Sequence, residues 1–118
     1  MTTALARKGI WKNNVAEIIS DFGISQSVFA RLIDAPETTV FRWIKGVSSP
    51  QKAYQERITK LVSIHCRLCD IFEREEISKW LNDPLKFLGG KTPLEAIRRG
   101  EYEKVQQLFV LLEGEVYI

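Results

Sequence analysis

Apolar side chains recur at helical spacing along almost the whole chain, and this regularity points to an all-α fold. Val15, Ile18, Ile19 and Phe22 stand at i, i+3, i+4 and i+7, one face of a helix. Asn14 and Glu17 are placed as a capping box at its start, and Gly23 ends it. Ser25 is positioned to cap a second helix carrying Val28, Ala30, Leu32 and Ile33. After the break at Asp34-Ala35-Pro36, a third helix runs from about Pro36 to Lys45 and stops at Gly46. Beyond the linker-like 47–51, Tyr54, Ile58, Leu61, Val62, His65, Leu68, Cys69 and Phe72 trace a helix of about 20 residues free of Gly and Pro. Its apolar stripe must be covered. Near the C-terminus, Val105, Leu108, Phe109 and Leu112 share a face of a last helix that begins at Glu101 and stops at Gly114.

A chain of 118 residues, 45% hydrophobic and 27% charged, builds one domain or two small subdomains sharing a core. No apolar run reaches the roughly 18 residues of a membrane span, so no membrane partner is expected. "MTTALARKGIW" lacks the apolar core of a signal peptide, which makes the cytoplasm the expected location. The net charge is +2, and it is unevenly placed. Residues 1–50 hold six Lys/Arg against four Asp/Glu, whereas residues 51–118 hold eleven of each. This imbalance favours an anion-binding face in the N-terminal half without by itself establishing one.

Three stretches invite catalytic readings and fail them. Gly90-Lys91-Thr92 ends like a phosphate-binding loop, but the required first glycine falls on Leu85, and Asn82-Asp83-Pro84 breaks the strand that must precede it. Thr92, Pro93 and Glu95 instead have the N-cap, N1 and N3 chemistry of a helix start, with Gly89-Gly90 as the turn before it. Cys66 and Cys69 lie inside a helix without the ligands of a structural zinc, so they read as small buried apolar groups, and neither metal nor cofactor is expected. His65 reads as a hydrogen-bonded core histidine. The rival is a small enzyme using His65 with Asp70 or Glu73, and no nucleophile arrangement supports it. No catalytic residue is assigned.

Residues 25–46, "SQSVFARLIDAPETTVFRWIKG", have the layout of a helix-turn-helix: small Ala30 at the close approach, a four-residue turn, then a helix with Val40 and Trp43 inward. Glu37, Thr38, Phe41, Arg42 and Lys45 then share the opposite face, either as a solvated surface or as a face entering a major groove. Arg42 suits guanine, Glu37 a cytosine amino group, Thr38 a base edge or thymine methyl, and Phe41 a thymine methyl. Ser25 and Gln26, at the N-terminus of the first helix, suit phosphate oxygens.

This stretch resembles the Xre (phage-repressor-like) helix-turn-helix family at Ser25, Gln26, Phe29, Ala30, Ile33, Ala35, Thr39, Val40, Arg42, Trp43 and Gly46. Asp34 stands where that family has a turn glycine, and Pro36 where it has a capping serine. Residues 80–118 resemble the toxin-binding domain of Xre/MbcA/ParS-type antitoxins at Trp80-Leu81, Pro84, Leu88-Gly89-Gly90, Thr92-Pro93-Leu94-Glu95, Val105, Leu108 and Gly114. The resemblance covers roughly residues 15–118. It implies an antitoxin that binds a RES-domain toxin acting on NAD, forms a homodimer and represses its own operon by binding operator DNA. The alternative is a stand-alone repressor without a toxin. The expected organisation is a DNA-binding segment at 1–50, a connecting and dimerisation helix at 51–76, and a toxin-binding segment at 77–118. The apolar tail Val116, Tyr117 and Ile118 either docks on the toxin, as the resemblance favours, or folds back on its own core.

Overall fold

The computed structural model describes the backbone of residues 4–117 and the side chains of residues 11–114. The described residues form helices α1 (Ala4–Phe22), α2 (Gln26–Leu32), α3 (Glu37–Lys45), α4 (Lys52–Ile71), α5 (Arg74–Leu81), α6 (Pro93–Arg98) and α7 (Tyr102–Tyr117), with a 3-10 turn at Lys86–Leu88. Among the described residues there is no strand. The fold is all-α, as the periodicity requires.

One core runs through the molecule. Val15, Ile18 and Phe22 of α1, Phe29 and Ile33 around α2, Val40 and Trp43 of α3, Ile58, Leu61, Ile64 and Leu68 of α4, and Val105 and Phe109 of α7 belong to the same buried cluster. The α4 stripe is thus covered by its own chain, and its outward positions Lys52, Glu56, Thr59, Lys60 and Ser63 are exposed and polar. Ile64, absent from the expected stripe, is fully buried. Cys66 and Cys69 correct the expectation of buried thiols: both are exposed, because they stand on the edges of α4 while Ile64, His65 and Leu68 face inward.

Helix ends follow local chemistry where that chemistry is complete. The Ser25 hydroxyl accepts from the Val28 N–H at 3.1 Å. Thr92 and Glu95 form the reciprocal box, with Glu95 N–H donating to the Thr92 hydroxyl and Thr92 N–H to the Glu95 carboxylate, both at 3.1 Å. Two expectations need correction. Asn14 and Glu17 lie inside α1, which starts at Ala4, so no capping box forms there. Gly114 lies inside α7, where an interior glycine costs only about 1 kcal/mol. The expected long helix of about 20 residues forms as α4, Lys52–Ile71. After it Phe72 turns extended, and Glu73 caps α5 with a box closed by the Glu76 side chain.

Candidate functional site

The α2 helix, a short turn and α3 follow one another with the spacing of the sequence pattern. Val40 is fully buried and Trp43 is 2% exposed, and Trp43 packs on Tyr54 of α4 with ring centroids 5.4 Å apart. Asp34 takes the left-handed turn position at φ 55°, the geometry that Asp tolerates better than most residues. Pro36 caps α3 without a side-chain hydrogen bond. With that register, Glu37, Thr38, Phe41, Arg42 and Lys45 all lie exposed on one side of α3, Ser25 is exposed, and Gln26 is partly so. Phe41, 48% exposed, has the Lys45 ammonium 5.3 Å from its ring centre. A cleft of about 330 Å³ beside Arg42 and Thr39 carries Ser48, Ser49 and Gln51, adding neutral donors to the basic face.

The far end of α2 is tied to the C-terminal half. Arg57 of α4 donates from Nη1 to the Ile33 carbonyl at 2.8 Å, and the Tyr102 hydroxyl of α7 reaches the Leu32 carbonyl at 3.5 Å. These are carbonyls that a helix end leaves without an intrahelical partner. Burial pushes the Tyr102 phenol up from its ordinary value. Neither tie was visible in the sequence, because each joins residues far apart in the chain.

The C-terminal half places the tempting Lys91 in a structural role. Its ammonium sits 3.4 Å from Glu101, and the loop before it is closed on itself, with Gly90 N–H donating to the Leu85 carbonyl and Leu85 N–H to the Lys91 carbonyl. The amides a phosphate needs are therefore used internally. The α7 helix buries Val105, Leu108 and Phe109 but leaves Val110 at 62% and Leu111 at 52% exposed, and Phe87 on the 3-10 turn is 48% exposed. Val116 and Tyr117 continue the α7 backbone. Their side chains and the whole of Ile118 lie outside the described residues.

His65 is a buried, hydrogen-bonded histidine, and its partner is Asp21 of α1 at 2.8 Å rather than Asp70 or Glu73. Burial raises the Asp21 carboxyl, but the His65 hydrogen bond and the Arg74 charge outweigh it and hold the group below the usual carboxylate range. Burial pushes the Cys69 thiol up, further raised by Asp21. A thiol so placed is not an activated nucleophile.

No family model matches the chain. The mycobacterial cidal antitoxin MbcA of Mycobacterium tuberculosis is 24% identical over 106 residues, 90% of this chain and 94% of that protein. MbcA of Mycobacterium bovis matches to the same extent. A second, probable mycobacterial cidal antitoxin of M. tuberculosis is 21% identical over 99 residues, 84% of each chain. Among solved structures, a chain in the crystal structure of the M. tuberculosis MbcT–MbcA toxin-antitoxin complex superposes with a TM-score of 0.73 at 24% identity, covering 91% of this chain and 96% of that one. The two share a fold.

Proposed function

We propose that this chain is the antitoxin of a toxin-antitoxin pair, neutralising a protein toxin through its C-terminal end and reading operator DNA with α3. The observation that carries the proposal is the extent of the likeness to the mycobacterial antitoxins. It spans 90% of this chain and 94% of MbcA, so it takes in the helix-turn-helix and the C-terminal helices in the same order. The toxin is of the RES type and consumes NAD, and the chain itself has no enzymatic role. The exposed Val110 and Leu111 on α7, rather than the polar outer face of α4, supply the homodimer contact. Two copies are needed because one reading helix spans only a few base pairs.

Coexpression is the test. The toxin encoded beside this chain, expressed alone, should stop growth and deplete cellular NAD; expressed with this chain, it should do neither and should copurify with it. Growth arrest unrelieved by this chain, with operator binding intact, leaves a repressor without a toxin and overturns the antitoxin proposal.

A further inference from the structure

Three side chains converge where α1 meets α4, away from both the reading face and the C-terminal end. His65 Nε2 lies 2.8 Å from Asp21 Oδ2 and 3.5 Å from Cys69 Sγ. The three atoms all fall within 4.8 Å of one another. The His65 and Asp21 side chains are only 11% and 15% exposed, so two donors are fixed by packing. Cys69 opens onto a cleft of about 420 Å³ whose wall also carries Glu17, Glu73 and Arg74.

The arrangement is not a nucleophilic triad. In a triad the thiol and the carboxylate bind opposite ring nitrogens, so that a proton passes through the imidazole. Here both face Nε2. Such a geometry offers no relay. It does aim nitrogen, oxygen and sulfur at one shared centre, a donor set that suits a borderline-soft divalent cation.

We propose that Asp21 Oδ2, His65 Nε2 and Cys69 Sγ bind a divalent cation of the zinc class, with water or Glu17 from the same cleft completing four-coordination. Metal–ligand bonds of about 2.0–2.3 Å set ligand atoms roughly 3.3–3.8 Å apart in a tetrahedron. The Cys69–His65 separation of 3.5 Å already fits. The Asp21–His65 contact opens by roughly half an ångström as the cation replaces the proton between them. On binding, the Cys69 thiol releases its proton to solvent, and the proton shared by His65 Nε2 and Asp21 also leaves that nitrogen through solvent, so that the metal-bound ring carries its single proton on Nδ1. Arg74 Nε stands 2.7 Å from Asp21 Oδ1, an ion pair that steadies the second carboxylate oxygen. Around the cleft, Glu17, Asp21 and Glu73 outnumber the single cation Arg74, which favours a positive ion. The sequence hides this site because His65 and Cys69 stand on α4 while Asp21 arrives from another helix.

The test uses the full chain, stripped with chelator and titrated with Co²⁺, then with Zn²⁺ as competitor. One equivalent of Co²⁺ should give tetrahedral d–d bands and a thiolate charge-transfer absorption, both erased by Zn²⁺. Cys69→Ser should remove the charge-transfer band and weaken Co²⁺ binding at least about tenfold. Cys66→Ser, at an exposed position outside the cluster, should keep both. Because Cys69 is exposed, Cys69→Ser should retain the wild-type circular dichroism; Asp21→Asn, which also disturbs packing, serves as a second variant with weakened Co²⁺ binding. A wild-type chain that gives no cobalt spectrum, or a spectrum that survives Cys69→Ser or disappears with Cys66→Ser, overturns the proposal. Neither toxin nor DNA enters the measurement, so its outcome is independent of the proposed antitoxin role.

Discussion

At Gly23 a single added carbon meets two obstacles. The backbone sits at φ +68°, and a Cβ there lies 3.0 Å from Ser78 Oγ and 3.2 Å from Ser78 Cβ on α5. The left-handed geometry alone costs a non-glycine residue about 1–2 kcal/mol, and the Ser78 Cβ moves only if α5 moves. Gly23→Ala should lower stability by about 1–3 kcal/mol in urea unfolding; unchanged stability would mean that α1 and α5 are not held at this separation. On the proposed reading face, Arg42 and Lys45 are both exposed, and the proposed DNA role would ask different things of each. A bidentate base contact by Arg42 predicts that Arg42→Ala loses about 1–3 kcal/mol and relaxes specificity at one base pair. A phosphate contact by Lys45 predicts weaker binding to every sequence and a salt slope shallower by about one unit. Fluorescence anisotropy on operator and scrambled DNA at several salt concentrations separates the two, and equal operator affinity for Arg42→Ala and wild type sinks the assignment.

The α6 helix is an element whose start is written out in its sequence. Thr92→Ala removes the hydroxyl that accepts the Glu95 N–H and should cost about 0.5–2 kcal/mol. The other half of the box is sensitive to acid. The hydrogen bond from the Thr92 backbone holds the Glu95 carboxyl below its ordinary value. A group with a depressed folded pKa stabilises above its unfolded pKa, about 4.3 for Glu, and loses that contribution as pH falls through the lower folded value. Glu95→Gln should therefore flatten the stability profile below about pH 4.3 while leaving its shape at neutral pH unchanged. Urea midpoints at pH 3 to 7 would decide, and an identical acid limb would refute the linkage. The same contrast explains what was legible in the sequence. Ser25 and Thr92 have partners three residues away, and Val40 and Trp43 share one helix face at the same spacing, so they could be read directly. The start of α1 could not, since Asn14 and Glu17 satisfy a local pattern that a longer helix overrides. Nor could Asp21, whose partner His65 is 44 residues away. The exposure of Cys69 depends on which face of α4 its neighbours cover, which no spacing rule reports.

The molecule measures 46 × 31 × 25 Å and holds a single core that residues from α1 to α7 share. Unfolding should therefore be one cooperative transition, with far-ultraviolet dichroism and tryptophan fluorescence coinciding; two resolved transitions would show that the reading head folds alone. The proposed dimer sits at the same scale. Replacing Val110 and Leu111, both more than half exposed, with Glu should shift sedimentation from dimer to monomer without lowering helix content. A double variant that remains dimeric places the contact elsewhere. The ties at the end of α2 carry a consequence for descent. Because Arg57 and Tyr102 close the carbonyls of Ile33 and Leu32, a gene fragment for the reading head encodes an unfinished helix. Recombination that exchanges the C-terminal half between lineages therefore inherits a mismatched joint. Such a chain then diversifies by point substitution within one reading frame rather than as interchangeable cassettes.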